Sequence, residues 1–296
     1  MKKQHKIIHL MLISMLILIV VSFSGCTFRF RDNIYEYTRY EYDANENMVL
    51  SASTINGEIS ISSHDTDTIS LQIIKKTSEQ WGEGEFEKVN VEIQDSGDEF
   101  IIETKHVVQN ARVSVSFIIK VPVYIKIDTV DSVNGFIVVS NVQGESIHLS
   151  CSNGGITASE ITGDIIASAE NGPIKATHID GFVEAHAGNA GMTIKDAKGV
   201  ANLSSANGPI NAEISDFNDD ISITNSNAEI IVHFDTELNA NIEAKTKFQG
   251  NIYWRDIADY LYLQEGEDMY IRGILGDGGD DIFIETSYAS IILDKL

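Results

Sequence analysis

Apolar and polar residues alternate at every second position through most of the chain, the period of a strand with one buried face. The alternation is clear in Ile59-Ile61, Ile69-Leu71-Ile73, Val89-Val91-Ile93, Phe100-Ile102 and Val113-Val115-Phe117, and runs on through Val121-Pro122-Val123-Tyr124-Ile125-Lys126-Ile127. Between residues 131 and 234 a longer period is laid over it. Asn134, Asn153, Asn171, Asn189, Asn207 and Asn225 follow one another at a spacing of 19 and then 18 residues. Gly135, Gly154, Gly172 and Gly208 come directly after four of them, and Ala190 and Ser226 after the other two. Three residues beyond each Asn stand Ile137, Ile156, Ile174, Met192, Ile210 and Ala228; two further on stand Val139, Ala158, Ala176, Ile194, Ala212 and Ile230. Both rows are expected to point inward. A second glycine row, Gly144, Gly163, Gly181 and Gly199, precedes another alternating stretch such as Ile165, Ala167 and Ala169.

A unit of about 18 residues holding two or three short strands is one coil of a stack with rungs about 4.8 Å apart. The predicted fold is therefore all-β: a single-stranded β-solenoid (β-helix) with about 18-residue rungs, a strand-rich N-terminal entry and an aromatic C-terminal cap. Left-handed hexapeptide helices share the period but place a large aliphatic every six residues, whereas Ile156, Ile161 and Ile165 are five and four apart. Asn-Gly suits a positive φ, so each pair is expected at a sharp corner, with the six asparagines stacked as a structural corner ladder. Thr54-Ile55-Asn56-Gly57-Glu58-Ile59 reads as one more such unit. Tyr253, Trp254, Tyr260 and Tyr262 bring the bulk an end cap needs, and residues 281–293 read as a last, degenerate rung.

Lys2, Lys3 and Lys6, an apolar run from Ile7 to Phe23 and then Ser24-Gly25-Cys26 have the layout of a signal peptide, and the run is short for a membrane span of about 20 residues. Phe23-Ser24-Gly25-Cys26 resembles the lipobox of prokaryotic lipoproteins, with Phe23 where Leu, Val or Ile is usual. That resemblance implies lipidation of Cys26, which becomes the mature N-terminus. The alternative is an uncleaved signal anchor, and both place the remainder outside the cytoplasmic membrane. The chain divides into a lipoprotein signal peptide (1–25), a polar, tyrosine-rich tether or first strand (26–47) and one solenoid domain (48–296).

Composition narrows the partners. With 296 residues and 43% hydrophobic content the chain can bury a sizeable core. It carries 21 Lys and Arg against 44 Asp and Glu, a formal net charge of −23, which opposes binding to a phosphate backbone and excludes nucleic acid. Without Lys2, Lys3 and Lys6 the exported part has 18 basic residues against 44 acidic ones, or −26. If Cys26 is lipidated, Cys151 has no disulfide partner; it aligns with Ala169, Ala187 and Ser205 and is expected to be buried and inert.

Taken together, the Asn-Gly-x-Ile rungs, the entry strand ending in Val121-Pro122, the interleaved glycine turns and the closing Gly276-Asp277-Gly278-Gly279 resemble the "putative adhesin" domain-of-unknown-function family and its head-GIN-type relatives over about residues 48–296. The resemblance implies an adhesin-like, surface-located solenoid. It brings no catalytic residue and no cofactor.

Stacking puts equivalent outward positions in columns, which exposes the candidate chemistry to inspection. Glu160, His178 and Asp196 form one column, in which a histidine between two carboxylates is either a metal or acid/base site or an ordinary solvated charge ladder. Ser150, Ser168, His186, Ser204 and Ser222 form another, with no acid to orient the imidazole for nucleophilic catalysis. Asp277, Asp280 and Asp281 in the Gly276–Asp281 loop invite a Ca²⁺ reading, but the motif occurs once, without the nonapeptide repetition of calcium-binding β-rolls. The aromatic cluster at 253–262 suits a sugar platform as well as a cap. No phosphate loop, zinc motif or nucleophile elbow is present.

The expected function is that of a lipid-anchored, extracytoplasmic surface-binding or scaffolding module without catalytic activity. Its expected partners are the membrane through its lipid and an envelope glycan or protein, or a second copy of itself. An accessory or sensory envelope lipoprotein is the alternative. A carbohydrate-active β-helix enzyme is a third reading, for which three or more acids gathered in a groove would be the sign; the constant spacing leaves little room for the loops that build such a cleft.

Overall fold

The computed structural model describes residues 32–296; the segment expected to be a signal peptide (1–25) and Cys26 lie outside the described residues. The entry region forms β1 (Asn33–Asp43), β2 (Val49–Asn56), β3 (Ile59–His64), β4 (Thr68–Ser78), β5 (Val89–Asp95), β6 (Glu99–His106), β7 (Ser114–Pro122) and β8 (Lys126–Asn134). The central rungs are β9 (Ile137–Cys151), β10 (Ile156–Ala169), β11 (Ile174–Ala187) and β12 (Met192–Ser205). Shorter strands follow: β13 (Ile210–Ile214), β14 (Ile221–Asn225), β15 (Ile230–Phe234), β16 (Ala240–Thr246), β17 (Ile252–Tyr253), β18 (Leu261–Glu267), β19 (Tyr270–Leu275), β20 (Asp281–Thr286) and β21 (Ile291–Lys295). They join into one hydrogen-bonded sheet wound as a β-solenoid.

The central strands stack in parallel, like residue on like. Ile137, Ile156, Ile174, Met192 and Ile210 pair in succession, and so do Cys151, Ala169, Ala187 and Ser205. Each of these strands supplies two sides of the coil because it bends halfway at a left-handed residue: Asn141, Glu160, His178 or Asp196, with φ of 52°, 56°, 57° and 49°. The inward rows are buried except at Ala228, which is half-buried because Ile230 takes its place on Ile210, and the alanines among them, such as Ala158, Ala176, Ala167 and Ala185, bring the opposing walls close.

The Asn-Gly corners work differently from the sequence expectation. Gly57 has the expected positive φ, 147°, but the non-glycine left-handed residues of the rungs lie at the mid-strand bend, and Gly135, Gly154, Gly172 and Gly208 have ordinary φ. These glycines are required by close approach instead. A Cβ on Gly172 would lie 1.8 Å from the carbonyl oxygen of Gly154, and one on Gly154 would lie 2.1 Å from that of Gly135. The corners are columns of backbone resting on backbone.

Both ends depart from simple winding in the same way. The β2–β3 rung is inserted between two rungs that come later in the chain: β2 pairs with both β6 and β8, and β3 with both β7 and β9. At the other end β20 and β21 sit on β14 and β15, with β16 and β17 on their far side. Residues 281–293 are thus an interior rung, threaded under β16–β17 and not the last one. Antiparallel strands then flank the stack, β4 and β1 beside β7, β5 beside β6, and β19 and β18 beside β16.

The core is closed by different side chains at the two ends. Tyr42 meets Phe100 edge-on at 4.9 Å at the entry end. At the far end Ile257 and Leu261 are buried and Trp254 packs against the core, while Tyr253, Tyr260 and Tyr262 are exposed. The cap is therefore aliphatic with an aromatic rim.

Gly172→Ala must push two rungs apart, and is expected to cost at least about 1–3 kcal/mol, as overpacking does. Gly84→Ala, where a Cβ meets open space, is expected to stay within about 0.5 kcal/mol of the parent. Chemical denaturation of the three proteins checks this, and equal midpoints for the two variants would remove the close-approach argument.

Candidate functional site

A continuous side-chain amide ladder marks one corner of the stack. Asn134 donates Nδ2–H to Oδ1 of Asn56 at 2.7 Å, and the same bond repeats from Asn153 to Asn134, Asn171 to Asn153, Asn189 to Asn171 and Asn207 to Asn189 at 2.7–2.8 Å. The next rung is contributed by Asn227, which donates to Asn207 at 2.8 Å. Asn225, placed in this ladder by the 18-residue count, does not belong to it. Its side chain is buried, where Nδ2 donates to the Gly208 carbonyl and Oδ1 accepts the backbone N–H groups of Asn227 and Ala228.

The displacement has a local cause. Between β13 and β14 the turn at residues 215–220 lengthens the rung, so the ladder asparagines Asn207 and Asn227 are 20 apart. The same shift takes Ser222 out of the serine column, where Thr224 stands beside Ser204. A signal for Asn227 was present: Ile230 lies three residues beyond it, the offset that Ile137 keeps from Asn134, whereas Ala228 holds that place after Asn225.

The Glu160, His178 and Asp196 column is the left-handed bend itself. His178 Nε2 lies 3.2 Å from Asp196 Oδ2, with both side chains largely exposed. Asp196 is also held through its backbone N–H, which donates to Glu213 Oε2. In the neighbouring column His186 Nδ1 and Ser204 Oγ are 2.8 Å apart, again on the surface. Among the described residues no three His, Cys, Asp or Glu side chains gather into a group that could hold a metal ion. Cys151 is buried with Sγ 2.9 Å from the Gly135 carbonyl, and burial pushes its thiol pKa up, away from the reactive thiolate.

The Gly276–Asp281 loop is pinned to its surroundings. Asn239 Oδ1 accepts the N–H of Asp277 at 2.7 Å, Asn241 Nδ2 donates to the Gly279 carbonyl and to Asp281 Oδ1, and Asp220 Oδ1 accepts the N–H of Asp281. Asp280 and Gly279 line a groove of about 500 Å³ together with Asp216, Phe217, Asp235 and Glu237. Four acids therefore share one groove beside the lengthened turn, a grouping hidden in the sequence because they come from three separate segments. Two of them are occupied in shaping the loops: Asp216 Oδ1 accepts the N–H of Phe217 and Asp235 Oδ1 that of Glu237. Elsewhere on the surface Phe248 and Tyr288 stack at 5.2 Å, while Tyr253, Tyr260 and Tyr262 do not form such a pair.

No family model and no curated protein matches the chain. Solved structures do. A "putative lipid binding protein" from Parabacteroides distasonis ATCC 8503 matches 87% of this chain and 96% of its own at 11% identity, with a TM-score of 0.51. A "putative cell adhesion protein" from Clostridium sporogenes ATCC 15579 matches 90% of this chain and 100% of its own at 12% identity, with a TM-score of 0.27. A "putative adhesin" from Bacteroides fragilis NCTC 9343 matches 87% and 97% at 13% identity, with a TM-score of 0.29. At these identities the first likeness concerns the fold alone.

Asn171→Leu removes exposed ladder bonds and is expected to cost about 0.5–1.5 kcal/mol. Asn225→Leu strips partners from three backbone groups in a buried corner, and should cost more than about 2 kcal/mol by the same principle. Urea unfolding of both variants orders them; a larger loss at Asn171 would contradict the assignment of Asn225 to an interior capping role.

Proposed function

We propose that the chain is a lipid-anchored, extracytoplasmic, adhesin-like module without catalytic activity, which holds a rigid, repetitive surface out from the envelope to bind a glycan or protein there. The observation that carries this reading is the register. Outward positions stack without a slip on one face, as Thr157, Lys175, Thr193, Asn211, Ile231 and Ile292 do; beside them stack Ser159, Thr177 and Lys195, and Glu213, His233 and Asp294, the two runs joined by an ion pair between Lys195 and Glu213 at 3.3 Å. A surface of this kind presents side chains at one fixed repeat over the length of the stack, which favours multivalent contact with an extended partner.

The lipid anchor rests on Phe23-Ser24-Gly25-Cys26, with β1 starting seven residues later at Asn33. The fold shared with the Parabacteroides protein is compatible with this reading and does not by itself carry a ligand. A glycosidase reading would use the acidic groove beside the lengthened turn, or a second one of about 480 Å³ in which Glu36, Glu83 and Glu87 stand with Lys75, to which Glu36 is ion-paired at 3.4 Å. In the first, the carboxylates are engaged with neighbouring backbone N–H groups at Asp216 and Asp235, which suits loop construction better than a facing acid and base pair.

Intact-mass measurement of the protein from the membrane fraction tests the anchor. The expected species starts at Cys26 and carries a diacylglycerol mass, and Cys26→Ser loses it. A full-length, unmodified chain in both samples would refute lipidation and leave a signal anchor.

A further inference from the structure

We infer that β1 is a docking edge for a second copy of this chain, the two β1 strands pairing antiparallel about a two-fold axis at Thr38 so that one sheet runs through both molecules. This goes beyond the proposed surface binding and does not depend on the lipid anchor.

β1 pairs with β4 in unbroken register over eleven residues, from Asn33 opposite Ser78 to Asp43 opposite Thr68, and among the described residues no strand pairs with its other side. Just beyond its two ends, the Asp32 carbonyl accepts the N–H of Glu79 and the N–H of Ala44 donates to the Asp67 carbonyl. Even-numbered residues therefore turn their backbone groups toward β4, and the odd-numbered ones, from Asn33 through Tyr37 and Arg39 to Asp43, turn theirs outward. An edge of that length is a template for another strand unless something blunts it.

The other outer strands are blunted. β18 breaks register between Leu263 and Glu265 and contains Gly266. β5 is shorter, at seven residues. β1 is eleven residues long without proline, glycine or bulge; of its charged residues Glu36, Arg39, Glu41 and Asp43, Glu36 is already paired with Lys75 of β4.

The sequence of β1 also fits itself. Full antiparallel overlap sets Thr38 opposite Thr38, Tyr37 opposite Arg39, Tyr35 opposite Glu41, Glu36 opposite Tyr40 and Ile34 opposite Tyr42. No two like charges face each other, and Arg39 meets a tyrosine ring on the partner. On a chain whose formal net charge is −23, self-association needs a register in which acids do not oppose acids; β1 carries Glu36, Glu41 and Asp43 against Arg39, and the two-fold at Thr38 sets each acid opposite an uncharged residue.

The two-fold places Thr38 at a non-hydrogen-bonded pair, where opposed Cα atoms are about 4.5 Å apart, within the range a disulfide spans. Thr38→Cys in the full chain, oxidised in membranes of the producing cells, is expected to give a disulfide dimer on a non-reducing gel. Glu36→Cys sets its two copies about 14 Å apart along the strands, and is expected to give at least fivefold less dimer; the parent chain, with Cys151 buried, gives the background. Tyr37→Pro places the missing N–H on the free edge, where the β4 pairing does not need it, and should abolish cross-linking by Thr38→Cys. The pairing is overturned if Thr38→Cys yields no more dimer than Glu36→Cys, if Tyr37→Pro in a variant of unchanged thermal unfolding leaves the yield intact, or if the cross-linked species has a mass other than twice the chain. The first comparison decides the matter even where the proline variant does not fold.

Discussion

The structure depends on how closely one backbone can lie on the next. At the Gly135, Gly154 and Gly172 column a side chain of any size would enter the neighbouring carbonyl, and a second column at Gly144, Gly163 and Gly181 repeats the condition. Two such seams hold the coil to a fixed cross-section. Everything stacked between them inherits the register: isoleucine on isoleucine inside, amide on amide at the Asn corner, polar residue on polar residue outside. The asparagine ladder is a consequence of that register as much as a support for it, since side-chain amides can chain only when successive corners superpose. Its bonds lie largely at the surface, where each contributes modestly, while the glycine seams bring backbone onto backbone at most rungs, with Ala190 the place in the column where a Cβ is accommodated.

The ends show how a solenoid avoids offering bare rungs. Threading β2–β3 and β20–β21 one layer inside the stack buries both chain-terminal rungs between strands made elsewhere in the sequence. A rung held on both sides cannot fray without its neighbours. The arrangement also makes the end contacts distant in sequence, as between Asn56 and Asn134, 78 residues apart. Such contacts form only after long loops have closed, so the central rungs, whose neighbours are 18 residues away, are the part able to assemble first.

The regular middle was legible in the sequence because one physical condition recurs there at one spacing. Asn-Gly followed by Ile at the third position was enough to identify the rungs, the inward rows and the burial of Cys151. Two readings failed for identifiable reasons. Asn-Gly in a tight turn usually signals positive φ, which holds at Gly57, whereas Gly135, Gly154, Gly172 and Gly208 answer to contact between rungs, which no local propensity encodes. The left-handed positions fall instead on Asn141, Glu160, His178 and Asp196, where Asn, Asp and His suit that conformation but Glu disguises it. Counting by 18 also carried the ladder to Asn225 past a lengthened turn, although the offset to Ile230 favoured Asn227. The interleaved ends, and with them the acidic groove to which Asp280 is brought, were out of reach, because pairing between segments about 40 or more residues apart leaves no periodic trace.

The same condition says where recognition can reside. On the flat faces an outward side chain is positioned by a backbone that the seams have already fixed, so substitution there changes chemistry without changing geometry. A change in rung length is another matter, since an added residue must leave the coil or break the register. The chain makes this change between β13 and β14, where residues 215–220 bulge out and Asp216 and Phe217 come to face Asp235, Glu237 and the Gly276–Asp281 loop. A solenoid built this way has two separable surfaces, a repeating one whose spacing is set by the core and a local one made where the repeat is interrupted. A partner reading the first responds to the number of rungs, and a partner reading the second to a single loop.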